Sequence, residues 1–424
     1  MKHLAIVGGN PVRKDPFPQY TPIGDDEKRA VLEVLDGKVL SKFLAKWGPD
    51  FFGGPRVLEL EDAWAKKFDV KHAISVNSAT SGLYAAVGAA SIGPGDEVIV
   101  SPYTMSASAT AALVYGAIPV FADIDPDIFC ITPESIEERI TSNTRAIIVV
   151  DIFGHPADMD EIMDIAREHD LVVIEDAAQA PGALYKGRPA GTLADMGVYS
   201  LNYHKTIHCG EGGLVVTDND EFAERLQMIR NHAEGAVKAR GIQNLVNMIG
   251  FNYRMTEIEA AIAREQLKKL DRLVEARCNA ADYLTKHLKK IPGITPPLVR
   301  PNIKHGYYIY CLRYNAETVG VPREKFVDAV RAEGVPLVNG YAEPLYLEPV
   351  YQKRIAIGKD GFPFTYPGYA GHVDYSPGIC PVTERMYETE LMYTDVCHAN
   401  VSRRDLDDVV SAFEKVARNI NELM

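Results

Sequence analysis

The chain has 424 residues, 46% hydrophobic and 24% charged, and its 58 acidic against 45 basic side chains leave a net charge of -13. Those values exclude a disordered or fibrous chain, and the acidic balance opposes binding to nucleic-acid backbones. The length exceeds what a single core usually serves, so two domains are expected, a large one over 1–290 that includes an N-terminal arm and a smaller one over 291–424.

The first stretch, Met1 to Val12, is too short and too weakly basic to read as a signal peptide, and no apolar run anywhere reaches membrane-spanning length. Six scattered cysteines without a CxxC pair argue against a zinc knuckle or a disulfide framework, so a cytoplasmic protein is expected. From Lys71 to Thr217, short β-branched runs alternate with longer helical patterns, the mark of βαβ units. Seven strands are expected, at Ala73–Asn77, Glu97–Ser101, Ile118–Ala122, Ala146–Asp151, Leu171–Glu175, Gly197–Ser200 and Leu214–Thr217. They are apolar enough to build one mostly parallel sheet buried on both faces. Ser81–Ala90, Ser106–Tyr115 and Asp158–Glu168 carry apolar residues at helical spacing and are expected to cover it. Glu257 to Lys289 then runs without Gly or Pro as a long helix that connects the domains. The remainder reads as α+β, with a turn-rich stretch at Gly358–Gly378 and a closing helix at Arg404–Leu423.

Ligands of open parallel sheets collect outside the carboxyl ends of the strands. Asp176-Ala177-Ala178-Gln179 follows one such end, and Lys205 follows another, five residues after Ser200 and five before the turn Gly210-Glu211-Gly212-Gly213. A lysine amine and a carboxylate are what pyridoxal-phosphate catalysis requires, the first to hold the cofactor covalently and the second to keep its ring nitrogen protonated. Ser78-Ala79-Thr80-Ser81 lies between a strand end and a helix start, where free backbone N–H groups and the helix dipole favour a phosphate. Each feature also has an ordinary explanation, as a solvated lysine, a helix-capping aspartate or an N-cap serine. Their joint order points to a cofactor site.

These motifs, with Gly8-Gly9-Asn10-Pro11-Val12-Arg13 at the start and Gly250-Phe251-Asn252-Tyr253-Arg254-Met255 later, resemble the DegT/DnrJ/StrS sugar aminotransferases, a family of fold type I pyridoxal-phosphate enzymes. The likeness covers nearly the whole chain. It implies that Lys205 holds the cofactor, Asp176 partners the pyridine nitrogen, Gln179 neighbours the phenolic oxygen and Ala178 packs beneath the ring. It further implies that Thr80, Ser81 and Ser200 hold the phosphate, and that Asn252 reaches the phosphate of a neighbouring subunit in a homodimer. Two positions depart from the family pattern, Ala79 where glycine is usual and Met105 where an aromatic usually stacks on the ring. A thioether can still contact a ring face, and Tyr103 is the nearest aromatic alternative.

The resemblance implies transfer of an amino group from glutamate or glutamine to a keto-sugar or keto-cyclitol, as in amino-sugar and aminocyclitol biosynthesis. Some members carry histidine in place of the lysine and dehydrate sugars instead; His204 stands beside Lys205, yet the count from both flanking motifs falls on Lys205. A non-catalytic cofactor-binding regulator is a further alternative, though no basic helix-turn-helix segment accompanies the fold. His204 and His208 lack a third ligand beyond Cys209 and Glu211, so no metal is expected. For the substrate wall, His155, His204, Tyr341 and Tyr346 are the candidates, with the aromatic segment Trp47–Pro55, and interface packing is the competing explanation for the aromatics.

Overall fold

A computed structural model describes residues 3–424. The first half of the chain supplies strands β1 (His72–Val76), β2 (Glu97–Val100), β3 (Ile118–Phe121), β4 (Thr144–Val150), β5 (Val172–Asp176), β6 (Leu184–Tyr185), β7 (Arg188–Pro189), β8 (Met196–Ser200) and β9 (Gly213–Thr217). All but β6 and β7 join in a seven-stranded sheet of order β1-β9-β8-β5-β4-β2-β3. These are the seven expected strands. Their Val, Ile and Ala side chains are buried because the helices Ala79–Ala89, Ala107–Val114 and Met159–Glu168 share one core with them.

Strand direction departs from the βαβ reading at one place. The pairs β2–β3, β2–β4, β4–β5 and β5–β8 are parallel, but β9 runs antiparallel to both β1 and β8. A parallel return needs a crossover of about a dozen or more residues, usually a helix. The loop 201–212 contains no helix, so β8 and β9 close as a hairpin with Ser200 opposite Gly213. Gly213 is needed there, because a Cβ would lie 2.7 Å from the Ala79 nitrogen and 2.8 Å from the Tyr199 carbonyl oxygen.

The second half builds β10 (Ile294–Thr295), β11 (Ile303–Lys304), β12 (Tyr310–Tyr314), β13 (Val338–Asn339) and β14 (Leu391–Thr394). A four-stranded antiparallel sheet runs β10-β12-β14-β13, while β11 pairs back onto β6, which pairs with β7. The long helix is Glu257–Leu288, opened by a capping box between Thr256 and Glu259. Its residues 260–274 pack with Trp64 and Tyr199, whereas its last turns pack with Tyr310, Phe326 and Phe413, so one rod serves two cores. The N-terminal arm, grouped with the large domain from sequence, lies against the second core instead. Leu4 is part of that core, and Arg13 donates to Asp405 at 2.6 Å and Asp408 at 3.0 Å on the helix Arg403–Arg418. That helix is shorter than the expected 404–423, its end being a separate 3-10 turn, Ile420–Leu423. Among the described residues no helix is long and apolar enough to cross a membrane.

A buried ion pair ties the helix Asp220–Arg230 to the sheet. Arg230 is fully buried and donates to Glu61 Oε1 at 2.6 Å and to the Ser75 carbonyl at 3.1 Å. Removing one partner of such a pair strands the other charge, so Arg230→Met is expected to lower unfolding stability by about 3–5 kcal/mol. Denaturant titration checks this, and an unchanged midpoint would show that water reaches Glu61 freely.

Candidate active site

Because β1, β2, β4, β5 and β8 point the same way, their carboxyl ends meet along one edge of the sheet, where a cavity of about 180 Å³ opens. Ser78, Ala79 and Thr80 line it after β1, Thr104 and Met105 after β2, Asp176 at the end of β5 and Ser200 at the end of β8. The hairpin loop between β8 and β9 brings in Lys205. Residues separated by more than a hundred positions thus share one wall.

Lys205 is half-buried as a residue, but its Nζ sits 4.6 Å over the Tyr308 ring, away from water. Desolvation pushes its pKa down from 10.5 to about 8, against the opposing pull of the Asp176 charge. Asp176 is buried, and its Oδ2 accepts from Ser108 Oγ at 2.8 Å while Oδ1 accepts from the Ala178 N–H at 3.2 Å. Burial raises its pKa above the usual carboxylate value, opposed by those two bonds and by Lys205. Each of the two groups therefore acts on the ionisation of the other.

The third element is the N-terminus of the helix Ala79–Ala89. Ser78 caps it by accepting from the Ser81 N–H at 3.0 Å. The N–H groups of Ala79 and Thr80 have no hydrogen-bond partner among the described residues. They are the donors a phosphate would take.

A family model described as the DegT/DnrJ/EryC1/StrS aminotransferase family matches residues 45–414. The chain belongs to this family. Among curated relatives, the L-glutamine:scyllo-inosose aminotransferase of Streptomyces griseus is 33% identical over 435 residues, covering 99% of each chain. The GDP-perosamine synthase of Caulobacter vibrioides is 35% identical over 330 residues, 77% of this chain and 84% of that protein. Among solved structures, the aminotransferase from Psychrobacter cryohalolentis matches with a TM-score of 0.81 at 29% identity, covering 96% of this chain and 100% of that one.

As a DegT/DnrJ/EryC1/StrS member the protein is a fold type I aminotransferase, and its cofactor is pyridoxal 5′-phosphate. The residues present fit that group. An amine of lowered pKa, a buried carboxylate and a pair of unpartnered backbone donors converge on one cavity, and each matches a different part of the cofactor. Ala79, at the position where the family usually has glycine, is the first residue of the helix, so its backbone needs no conformation that only glycine adopts.

The other candidates divide. Ala178, Gln179 and His204 line the cavity, His204 from its rim. Gln179 is fixed at both ends of its amide, accepting from the Phe153 N–H at 2.8 Å and donating to the Tyr341 hydroxyl at 2.9 Å. Tyr341 thus sits behind Gln179 and outside the cofactor cavity. Met105 is 55% exposed, and its Sδ accepts from the Ala107 N–H, so it stands at the mouth. Ser81 is not part of the cavity wall, because its Oγ donates to Asn77 Oδ1 at 2.6 Å and its N–H is taken by Ser78. Asn252 is exposed, away from its own chain's cavity, with Oδ1 accepting from Arg254 at 2.8 Å.

His155, Tyr346 and Tyr103 are core residues and do not reach the cavity. His155 Nδ1 lies 2.7 Å from the Pro156 carbonyl, and burial depresses its pKa to about 4. Tyr346 packs on Phe121 and donates to Glu384 at 2.5 Å. Tyr103 meets Phe153 and Tyr341 edge-on. Sequence reasoning missed Ser108, Thr104 and Tyr308. Thr104 and Ser108 lie four residues apart at a strand-to-helix junction, with their hydroxyls 3.3 Å apart, and that spacing was the available signal. Tyr308 carried none.

The lowered pKa gives the site a pH signature. An amine is nucleophilic only when neutral, so a shift from 10.5 to about 8 enlarges the reactive fraction at neutral pH by roughly 300-fold. Covalent capture of the cofactor by the apoprotein is expected to accelerate tenfold per pH unit below 8 and to level off above it. Absorbance-monitored capture between pH 6 and 10 measures this, and a plateau delayed to the ordinary lysine range would overturn the assigned environment.

Proposed function

We propose that this aminotransferase moves an amino group from glutamate or glutamine to a keto-sugar or keto-cyclitol, with Lys205 and Asp176 as its catalytic pair. One observation carries the reading: the cavity that unites amine, carboxylate and helix N-terminus shares His204 with a neighbouring crevice of about 1140 Å³ lined by Tyr20, Tyr203, Tyr308, Tyr341 and Tyr393. Tyrosines offer flat apolar faces and hydroxyl edges, a match for a polyhydroxylated ring. The names of the inosose aminotransferase and the perosamine synthase support the same substrate class.

When bound, the cofactor supplies a conjugated ring that accepts the electron pair released at the donor's α-carbon. Lys205 would hold it covalently, and its amine, when free, would take the proton from that α-carbon. With the keto-substrate in place, the same amine returns a proton to the carbon that becomes amine-bearing. Asp176, whose burial raises its pKa against the opposing pull of Ser108, Ala178 and Lys205, would pair with the ring nitrogen's proton. Gln179, Ala178 and Met105 would hold the cofactor's ring, and Ala79, Thr80 and Ser200 would receive its phosphate. A dehydratase reading would need His204 in the role of Lys205. His204 is exposed at the rim whereas the ammonium of Lys205 is desolvated, which favours transfer.

A cytoplasmic homodimer completes the proposal. Exposed apolar side chains near the loop that carries Asn252, among them Leu245 and Ile249, together with Tyr203, support burial by a second copy. Half-reactions test the reading directly. Glutamate or glutamine should move the absorption of the loaded enzyme from its yellow band to the amine form of the cofactor, and one of a panel of nucleotide-linked keto-sugars, sugar phosphates and inososes should restore it. Failure of every amino donor rejects transamination.

A further inference from the structure

Two acidic side chains without a part in the proposed reaction meet in the interior behind the cofactor cavity. Asp151 directly follows β4, Glu175 lies on β5 beside Asp176 in sequence, and both are fully buried. Their carboxyl groups are within hydrogen-bonding reach of each other, and no cationic side chain forms an ion pair with either among the described residues. Backbone N–H groups fill three of the four oxygens. Asp151 Oδ1 accepts from Ala157 at 3.1 Å, Glu175 Oε1 from Gly191 at 2.7 Å and Glu175 Oε2 from Leu193 at 2.9 Å. Asp151 Oδ2 is buried with no donor facing it. Two carboxylates cannot both stay ionised in such a place, and a proton on Oδ2, donated to Glu175, completes the set. Burial, then the Glu175 charge, raises the Asp151 pKa well above the carboxylate range, while burial raises that of Glu175 against the pull of its two N–H donors. The other groups around the pair do not neutralise it: Asp176 is acidic, Tyr199 donates to the Ala190 carbonyl, Cys130 to the His155 carbonyl, and Arg188 pairs with Asp160.

The pair stands at a junction. Asp151 opens the turn 152–154, where Phe153 has a left-handed backbone, φ 60°, that a bulky residue keeps only when its surroundings impose it. The Phe153 N–H is the hydrogen that holds Gln179 Oε1, and the Phe153 carbonyl accepts at 2.9 Å from the N–H of Tyr308, whose ring lies under the Lys205 amine. Glu175 ties the same junction to the loop 191–193 that leads into β8. We infer that Asp151 is a positioning residue: it shares one proton with Glu175, and this buried proton bolts the Phe153 turn in the form that fixes Gln179 on the cavity wall and Tyr308 under Lys205. Only the part Gln179 plays toward the cofactor rests on the transaminase reading.

Proton linkage in the full-length enzyme loaded with its cofactor tests the bolt. A carboxyl whose folded pKa is raised takes up a proton on folding, so its stabilisation is complete below about pH 4 and is lost as pH rises through the folded pKa. Asp151→Asn keeps a donor for Glu175 and an acceptor for Ala157 but cannot ionise. In urea unfolding from about pH 5 to pH 7, its folding equilibrium constant relative to wild type is expected to rise about tenfold per pH unit. Glu175→Gln places an N–H where Gly191 or Leu193 needs an acceptor, and should lower the same constant roughly ten- to hundredfold. The second arm reads the hold on Gln179. Opening that frees the Phe153 amide hydrogen also releases the shared proton, so its exchange in heavy water should quicken about a hundredfold per pH unit in the wild type, tenfold from hydroxide and tenfold from linkage, against about tenfold in Asp151→Asn. A ratio that stays flat with pH overturns the shared proton, and equal exchange slopes overturn the positioning role. Should Asp151→Asn not fold, infrared spectra of protein labelled with carbon-13 aspartate decide at pH 7. A carboxylic-acid carbonyl band that shifts with the label and survives in Asp176→Asn upholds the pair, and its absence overturns it. None of these readouts needs turnover, so an enzyme that no amino donor bleaches rejects transamination and leaves the bolt to be judged.

Discussion

Lys205→Ala is expected to lower amino transfer on the order of 10⁴-fold, the upper range for a positioned acid–base group, and to abolish covalent attachment of the cofactor. The size of the effect follows from the cavity itself. Among the described residues Lys205 is the one lysine on its wall, and no other side chain there offers a second amine. Borohydride reduction followed by mass spectrometry reads attachment independently of turnover. A retained mass shift in the variant would move the role to another lysine. His204→Ala should retain attachment, since a ring at the rim carries no amine.

The second large effect is expected at Asp176. Asp176→Asn preserves shape and can still accept from the Ala178 N–H, so the fold should survive. It removes the buried negative charge of the cavity wall, which should slow transfer by about 10²–10³-fold, as for other electrostatic stabilisers. A pH readout separates this from simple damage. The Asp176 charge raises the Lys205 pKa, so its loss should carry the plateau of cofactor capture below pH 8. Near-normal turnover with an unmoved plateau would remove the carboxylate from the mechanism.

The sheet was legible because buried parallel strands write themselves as unbroken β-branched runs, and Lys205 and Asp176, the proposed catalytic pair, stood out because both follow such runs. Direction was less so. Nothing in Leu214–Thr217 distinguishes an antiparallel strand; only the missing helix in 201–212 does. Side-chain partners from distant segments were not legible at all. Ser108 reaches Asp176, and Tyr341 reaches Gln179, across chain separations that no periodicity encodes. His155 and Tyr346 illustrate the converse, since polar aromatics in turn-rich stretches look like binding residues whether they face a ligand or, as here, the interior.

The hairpin that carries Lys205 is stitched to the sheet on both sides, whereas the tyrosine-lined crevice draws on the arm at 16–20, the segment 334–338 and the stretch 393–398. Under the proposed reading, reaction chemistry sits on the hairpin, while choice of acceptor is shared between that hairpin's Tyr203 and these outer segments. Exchanging those outer segments between relatives offers a route to new amino-sugar products in which the tethered amine keeps its aim.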